Sequence, residues 1–210
     1  MQFVLKDVVP KHISIKDSEV WNRDLTIDKG EHIHIVAPSG SGKTTLIHFL
    51  YGLRNDYTGK IYFEKKDLAG FSSEDIADLR QKYISIIFQD LRLFPNETAL
   101  ENIEIKRSLN PFITEEEVLQ MARRLAVDHK LSQQTQTCSY GEQQRIAIIR
   151  ALVQPFDFLL LDEPFSHLDE NNRSKAMELL YEQCERRNAS MIFADLKNLD
   201  FLSNEKVYYL

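Results

Sequence analysis

Residues 37–45 read Ala-Pro-Ser-Gly-Ser-Gly-Lys-Thr-Thr, a glycine-rich turn flanked by two regular elements. Alternating apolar residues predict a strand over 32–36, and the pattern of 44–51 predicts a helix. A strand, such a turn and a helix in succession are typical of a phosphate loop, except that Ala37 stands where the pattern begins with glycine. The alternative, an ordinary Gly/Ser turn before a helix, seldom produces Gly-Lys-Thr-Thr by chance.

The residue types of this loop suit phosphate chemistry. Gly40 and Gly42 let backbone N–H groups curve around phosphate oxygens, where a Cβ would collide. The helix that follows adds the positive end of its dipole. We expect Lys43 to bridge the β- and γ-phosphates, Thr44 to offer its hydroxyl to Mg²⁺, and Thr45 to assist at the α-phosphate. The expected nucleotide contacts in this loop are Pro38, Ser39, Gly40, Ser41, Gly42, Lys43, Thr44 and Thr45.

A second predicted strand ends in two carboxylates. Residues 156–161 form an apolar run typical of a buried parallel strand, and Asp162 and Glu163 follow it. Ligands of such sheets bind at the carboxyl ends of the strands. Beside a phosphate loop, Asp162 is expected to hold Mg²⁺ through water, and Glu163 to polarise the attacking water as general base. Without the phosphate loop, a solvated turn would explain both carboxylates equally well.

The order of the predicted elements indicates an α/β fold with inserted helices. Strands come first, helices dominate from about 91 to 153, and strand and helix then alternate. A helical segment inserted into a strand–helix core is the simplest account. The strands are predicted near 3–8, 24–27, 32–37, 60–63, 84–88, 158–162, 190–194 and 206–210. The helices are predicted after Lys43 and near 73–82, 114–126, 142–153 and 170–187, with a capping box at Thr114 and Glu117.

Residues 138–145 read Cys-Ser-Tyr-Gly-Glu-Gln-Gln-Arg and lie between the phosphate loop and the acidic strand end. With those two elements in this order, the octet resembles the signature motif of ABC (ATP-binding cassette) ATPases. The resemblance covers nearly the whole chain and implies one nucleotide-binding domain over 1–210, with a RecA-like phosphate-loop core at about 1–90 and 154–210. It further implies an N-terminal antiparallel β subdomain and an inserted helical signature subdomain at about 91–153.

The signature of this family usually reads Leu-Ser-Gly-Gly-Gln. The resemblance implies that Ser139 and Gly141, with Glu142 at the last position, bind the γ-phosphate held by a second subunit. The helix that follows then points its N-terminus at that phosphate. Cys138 and Tyr140 depart from the family pattern. Because Tyr140 stands at a glycine position, backbone angles that only glycine tolerates would be strained there.

Three further residues take family roles through the resemblance. Gln89 follows the predicted strand 84–88 and matches the Q-loop glutamine, which reaches Mg²⁺ or the attacking water; a solvated loop residue is the alternative. Asp169 ends a D-loop-like segment and is expected at the dimer interface near the partner's water, or as the cap of the next helix. His12 lies at the distance from the phosphate loop where the family stacks adenine on an aromatic ring. An exposed loop histidine is nearly as common.

The family pattern fails after the strand predicted at 190–194. Family members place a Thr-His pair there, and the histidine donates to the γ-phosphate, whereas this chain has Ala194-Asp195. An ionised aspartate accepts hydrogen bonds and carries the same sign as phosphate. Loss of one transition-state donor typically lowers the rate by about 10²–10³, so we expect slow hydrolysis with intact ATP binding. The alternative is that Asp195 turns away and that Lys197 or water substitutes.

Shorter stretches resemble one branch of the family, which includes lipoprotein-release, macrolide-export and cell-division ATPases. They are Ser72-Ser73-Glu74, Leu79-Arg80, Phe88-Gln89-Asp90, Leu93-Phe94-Pro95 and Glu101-Asn102. The resemblance implies ATP and Mg²⁺ as cofactors and a homodimer or heterodimer of nucleotide-binding subunits. It also implies a separate integral membrane permease that docks near 91–96 and holds the protein at the inner face of the cell membrane.

Composition narrows the possible classes of protein. The 210 residues, 43% of them hydrophobic, suit one domain with a sizeable core. No run approaches the ~20 apolar residues that span a bilayer, and the first residues lack a signal-peptide profile, so a cytoplasmic location is expected. The net charge of −6 disfavours nucleic acid as a partner. Cys138 and Cys184 have neither metal nor disulfide spacing and are expected to be reduced thiols.

Two alternative functions stay open at this point. A soluble ABC ATPase of DNA repair or translation usually carries a long coiled-coil insertion or two cassettes, and this sequence shows neither. A hydrolysis-impaired cassette that regulates or completes a heterodimer is favoured by Asp195 and Tyr140.

Overall fold

The backbone forms two β-sheets with helices packed on them, and the computed structural model describes residues 1–13, 15, 17–196 and 206–210. The strands are β1 (Gln2–Pro10), β2 (Leu25–Asp28), β3 (His32–Val36), β4 (Tyr57–Phe63), β5 (Lys66–Asp67), β6 (Ile84–Ile87), β7 (Phe158–Asp162), β8 (Ser190–Asp195) and β9 (Lys206–Tyr209). The helices are α1 (Lys43–Leu50), α2 (Ser73–Lys82), α3 (Ala99–Arg107), α4 (Glu115–Arg124), α5 (Tyr140–Leu152) and α6 (Glu170–Arg187).

The two sheets differ in strand direction. An antiparallel sheet has the order β2-β1-β4-β5, and a parallel sheet has the order β6-β7-β8-β3-β9. The α/β fold with an N-terminal antiparallel sheet, expected from the sequence, is therefore confirmed. Helices α3, α4 and α5 lie between β6 and β7 in the chain, as the predicted insertion requires.

The register of the parallel sheet positions the two motifs that carry the chemistry. Val36 on β3 pairs with Asp195 on β8, and Ala194 on β8 pairs with Asp162 on β7. Since the carboxyl ends of parallel strands meet at one edge of a sheet, the phosphate loop after β3 emerges beside the carboxylates at the end of β7.

Aromatic contacts join the two sheets. Phe3 on β1 packs edge-to-face against Phe63 on β4, with ring centroids 5.1 Å apart, and against Phe158 on β7 at 4.9 Å. All three rings are buried. Aromatic pairs in this geometry add stabilisation beyond the burial of their area, so this cluster fixes the antiparallel sheet on the parallel one.

Capping residues define the starts of the helices. Thr114 and Glu117 form the capping box predicted from the sequence, and comparable boxes begin α2, α3 and α5. Helix α3 has no specific counterpart among the predicted helices. Its apolar residues do not form a single stripe, because Leu100 and Ile105 are exposed while Ile103 is buried. The periodic signal of an amphipathic helix is therefore absent from its sequence.

Asn102 on α3 is fully buried and holds the segment that precedes the helix. Its Oδ1 accepts a hydrogen bond from the backbone N of Phe94 at 2.8 Å, and its Nδ2 donates to the carbonyl oxygens of Phe94 and Thr98, both at 3.0 Å. One side chain thus satisfies both backbone groups of Phe94, which fixes the path of the chain from Phe94 to the cap of α3.

We predict that Asn102→Ala lowers the free energy of unfolding by about 2–3 kcal/mol, because the backbone N–H of Phe94 loses its partner and the buried amide that links Phe94 to Thr98 is removed. Urea unfolding of the variant and of the wild type tests this. The matched control is Asn96→Ala, an exposed asparagine in the same segment, which should change stability by less than about 0.5 kcal/mol. Equal losses in the two variants would contradict the role given to Asn102.

Candidate nucleotide-binding site

The phosphate loop connects β3 to α1, and both of its glycines adopt left-handed backbone angles. Gly40 and Gly42 have φ values of 82° and 104°, a region that favours glycine. A Cβ on Gly42 would meet Ile13 Cδ1 at 3.0 Å and the Trp21 ring at 3.3 Å. Both conformation and close packing therefore require glycine at position 42. Neither Ile13 nor Trp21 carries a sequence signal for this role.

Lys43 begins α1 and is only 4% exposed. Its Nζ donates to the carbonyl oxygens of Ala37 at 2.8 Å and Pro38 at 3.0 Å. The Oε1 atom of Glu163 lies 3.5 Å from the same Nζ. The ammonium group is thus surrounded by oxygen atoms, at the place where the sequence predicts phosphate oxygens to bind.

Asp162 at the end of β7 is 1% exposed and incompletely hydrogen-bonded. Its Oδ1 accepts from Thr44 Oγ1 at 3.2 Å, whereas its buried Oδ2 has no hydrogen-bond partner among the described residues. Burial raises the pKa of Asp162 to about 6; the Glu163 carboxylate also raises it, and the hydrogen bond from Thr44 lowers it. A carboxylate oxygen without a partner, beside a threonine hydroxyl, fits a divalent cation such as Mg²⁺.

Mg²⁺ binding at this place does not need a cage of protein ligands. Among the described residues, no group of three or more His, Cys, Asp or Glu side chains is arranged to hold a metal. Mg²⁺ usually keeps several waters and takes one or two protein oxygens together with substrate phosphate. Thr44 and Asp162 match that requirement.

Glu163 follows Asp162 in a left-handed conformation, with φ of 46°. Its backbone N donates to the Ala194 carbonyl at 2.9 Å, and its Oε2 accepts from Gln89 Nε2 at 3.3 Å. Left-handed angles in a residue other than glycine cost about 1–3 kcal/mol and persist where the surrounding contacts hold them. The structure therefore brings Gln89 and Glu163 together, next to Lys43, three residues assigned to the site from the sequence.

A cavity of about 390 Å³ opens beside these groups. Thr44 and Asp162 line it from the core, and Gln89 and Tyr140 line it from the side of the helical segment. The residues assigned to the metal and to the attacking water thus share one open space with the first residue of α5.

The signature residues form the start of α5. Ser139 Oγ accepts from the backbone N of Glu142 at 3.3 Å, and Glu142 Oε2 accepts from the backbone N of Ser139 at 2.7 Å. Glu142 also pairs with Lys130 at 3.4 Å, so its carboxylate holds the helix start. A Cβ on Gly141 would lie 3.1 Å from the His167 carbonyl. Glycine at this position therefore lets the loop after β7 approach the signature closely.

Tyr140 does not carry the backbone strain considered for a glycine position. It is the first residue of α5 and is not among the non-glycine residues with positive φ, so it takes ordinary helical angles. Its hydroxyl donates to the Gln89 carbonyl at 3.3 Å. Its ring centroid lies 4.2 Å from that of His167. Tyr140 therefore contacts both the loop after β6 and the loop after β7.

Asp169 and His12 lie outside this group of contacts. Asp169 is the N-cap of α6, and its Oδ1 accepts from the backbone N of Asn172 at 2.8 Å. The capping role, one of the two expected for Asp169, is thus present. His12 is exposed in the turn after β1, where its stacking on adenine stays a prediction.

Asp195 ends β8 beside the start of the phosphate loop. Its carbonyl oxygen accepts from the backbone N of Ala37 at 3.2 Å, and its carboxylate accepts from the backbone N of Leu196. The Asp195 carboxylate is thus hydrogen-bonded to the backbone of the next residue, at the position where the family has a histidine. Lys197, the suggested substitute, lies outside the described residues.

Arg150 on α5 supports the loop after β6, a role that the sequence analysis missed. Its guanidinium donates to the carbonyl oxygens of Leu91 and Arg92, residues whose φ values are 56° and 49°. Burial lowers the pKa of Arg150 to about 10. The available signal was a single charge inside the apolar run 146–153, since a buried guanidinium requires acceptors.

Comparisons with known proteins agree with this geometry. The family model described as ABC transporter matches residues 20–166. The chain is 39% identical over 162 residues to the macrolide export ATP-binding/permease protein MacB of Nitrosomonas europaea, covering 76% of this chain and 25% of that protein. It is 36% identical over 172 residues to the lipoprotein-releasing system ATP-binding protein LolD of Legionella pneumophila, covering 80% of this chain and 76% of that protein. The expected resemblance to this branch is confirmed.

A solved structure extends the similarity to the fold. It is the dimeric post-hydrolysis state of the ATP-binding cassette MJ0796 bound to ADP and Pi. The match has a TM-score of 0.80 and 27% sequence identity, and it covers 93% of this chain and 88% of that one.

We predict that Asp162→Asn raises the free energy of unfolding of the nucleotide-free protein by on the order of 2 kcal/mol at about pH 8. The folded pKa of about 6 lies above the ordinary value of 3.8, so the fold disfavours the ionised carboxylate. This penalty is absent below about pH 4, grows between about pH 4 and 6, and is complete above about pH 7. The advantage of asparagine should therefore disappear in acid.

Urea unfolding at several pH values measures this difference. The control is Asp24→Asn, an exposed aspartate, for which the difference from wild type should stay small throughout. A stability gain for Asp162→Asn that is the same in acid and at about pH 8 would contradict the assignment.

Proposed function

Because the chain belongs to the ABC transporter family, we propose that it is the ATP-binding and ATP-hydrolysing subunit of a transporter and drives a separate membrane subunit. LolD carries the name of an ATP-binding protein of a lipoprotein-releasing system. MacB combines ATP-binding and permease in its name, and this chain covers only 25% of it. Within the described residues, no helix has the length and apolar character needed to cross a membrane. The membrane subunit would hold this chain at the cytoplasmic face.

The contact between Lys43, Glu163 and Gln89 is the observation that carries this proposal. Lys43 exchanges its loop carbonyls and Glu163 for the β- and γ-phosphate oxygens of ATP. Gln89 orients Glu163, whose freed carboxylate accepts a proton from the water that attacks the γ-phosphorus, and ADP leaves with the β–γ bridging oxygen. Mg²⁺, held by Thr44 and by Asp162 through water, would offset the charge of the phosphates.

A second copy of the chain, or a related subunit, would complete the pocket. Ser139 and the backbone N–H groups at the start of α5 lie at an exposed helix N-terminus, which attracts anions. In the proposed dimer, this signature binds the γ-phosphate held by the phosphate loop of the partner. The similar cassette MJ0796 forms a dimer, which supports this arrangement.

The membrane subunit would dock on the segment 91–96. The Phe94 residue is 52% exposed, while the buried Asn102 side chain forms hydrogen bonds with its backbone N–H and carbonyl. The same segment begins directly after Gln89 and Asp90, and Arg150 supports its first two residues. A firmly held segment with an exposed aromatic ring suits a contact that transmits changes at the nucleotide to a partner.

A hydrolysis-impaired cassette of a heterodimer is the second candidate, and the position of Asp195 favours it. The transport-related names of the relatives do not favour a soluble non-transport ATPase.

We predict that Glu163→Gln binds Mg²⁺·ATP and forms a stable dimer while releasing phosphate at least about 10²-fold more slowly, because the general base is lost. Size-exclusion chromatography with and without ATP, together with a phosphate-release assay, tests this. Lys43→Ala is the matched control, which should neither bind ATP nor dimerise. A Glu163→Gln protein that stays monomeric at saturating ATP would contradict the proposed dimer.

We predict that Asp195→His raises phosphate release by about 10²-fold without changing ATP affinity, because the imidazole supplies a donor to the γ-phosphate. Asp195→Asn separates the missing donor from charge repulsion, since it removes the charge without adding the imidazole. If wild type already turns over at about 10 s⁻¹ and neither substitution changes that rate, the interpretation of Asp195 is wrong.

A further inference from the structure

Tyr140 links the signature to the nucleotide site of its own protomer. Its hydroxyl donates to the Gln89 carbonyl at 3.3 Å, and Gln89 Nε2 donates to Glu163 Oε2 at 3.3 Å. Glu163 Oε1 in turn lies 3.5 Å from Lys43 Nζ. A continuous chain of polar contacts therefore joins the start of α5 to the phosphate loop.

The ring of Tyr140 is fixed from a second direction. It packs against the His167 ring, with centroids 4.2 Å apart and the ring planes inclined by 53°, and His167 Nδ1 lies 2.9 Å from Ser166 Oγ. The backbone N of His167 donates to Gln144 on α5 at 3.2 Å. The contact with His167, which is itself held by Ser166 and Gln144, keeps the Tyr140 hydroxyl at the Gln89 carbonyl. It does so although Tyr140 is 42% exposed.

The hydrogen bond from Tyr140 to the Gln89 carbonyl helps to set the backbone path of the loop after β6. Leu91 and Arg92, two and three residues further on, both have positive φ, so the loop is strained and depends on its partners. Arg150 holds the carbonyls of Leu91 and Arg92, and Tyr140 holds that of Gln89. All of these supports come from α5, so a displacement of α5 moves Gln89.

We propose that Tyr140 is a positioning residue that couples the two nucleotide sites of the dimer. This inference rests on the proposed function, in which the signature of one protomer binds the γ-phosphate of its partner's ATP. Tyr140 then transmits the resulting position of α5 to Gln89 and Glu163 of its own protomer. ATP bound in one site thereby aligns the general base of the other. Glycine at this position has no hydroxyl and cannot make this link.

The test places the same substitution in either of two protomers. A low concentration of protein with intact Glu163 is mixed with an excess of Glu163→Gln protein, so nearly every active copy pairs with an inactive one. In the cis arrangement, Tyr140→Phe lies in the active copy. In the trans arrangement, it lies in the Glu163→Gln copy. Phosphate release per active copy is measured over a range of Mg²⁺·ATP concentrations.

The cis arrangement should lower maximal phosphate release by about fivefold, within the range of one lost hydrogen bond, with an unchanged half-saturating ATP concentration. The trans arrangement should match wild type, because the active copy keeps its own link. Tyr140→Phe retains the ring that packs against His167, so folding and this ring contact should be preserved. Tyr209→Phe in the active copy, an exposed tyrosine on β9, is the control and should change nothing.

An unchanged rate in the cis arrangement overturns the inference. An effect that is equal in both arrangements, or confined to trans, also overturns it, because Tyr140 would then act on the partner's nucleotide. If wild-type protein neither dimerises with ATP nor releases phosphate, the proposed function fails, and the inference fails with it.

Discussion

A buried ammonium group is the constraint on which the site depends. Lys43 is almost fully enclosed, and a buried charge is tolerated only with close polar partners. Two of its partners, the Ala37 and Pro38 carbonyls, come from the phosphate loop, and the third, Glu163, comes from the end of β7. This arrangement requires β3, β8 and β7 to lie side by side in parallel register. The strand order of the parallel sheet is thus also required to surround the Lys43 ammonium with its polar partners.

Three residues with strained backbone belong to the site or to the loop after β6. Glu163, Leu91 and Arg92 all have positive φ, and each is held by contacts from another element. The Ala194 carbonyl accepts from the backbone N of Glu163, and Arg150 donates to Leu91 and Arg92. Strained residues persist where their surroundings over-determine them. Glu163, the proposed general base, and the loop that carries Gln89 are therefore positioned by β8 and α5. These are also the two elements at which this chain departs from the family pattern, with Asp195 and Tyr140.

The sequence predicts those parts of the site whose residues are close in the chain. The phosphate loop, the carboxylates after β7 and the capping box at Thr114 are local patterns, and the structure contains each of them. Contacts between distant segments leave no such pattern. The packing of Trp21 on Gly42 and the bond from Tyr140 to Gln89 depend on how the loops meet. Helix α3 was missed for a different reason, since its amphipathic signal is weak.

The charges of the site favour the proposed metal–nucleotide complex over free nucleotide. Asp162 and Glu163 face a single buried ammonium, and the pKa of Asp162 is raised to about 6 as a result of burial and of the Glu163 charge. Free triphosphate would bring further negative charge to these carboxylates. Mg²⁺, if held by Thr44 and through water by Asp162 as proposed, would oppose that repulsion, and its water would give the buried Oδ2 of Asp162 a hydrogen-bond partner. If the phosphates bind Lys43 as proposed, Glu163 would lose its ion pair with Lys43 and would keep the hydrogen bond from Gln89. In the proposed reaction, substrate binding would thus free the Glu163 carboxylate, and the loop that carries Gln89 would set its orientation.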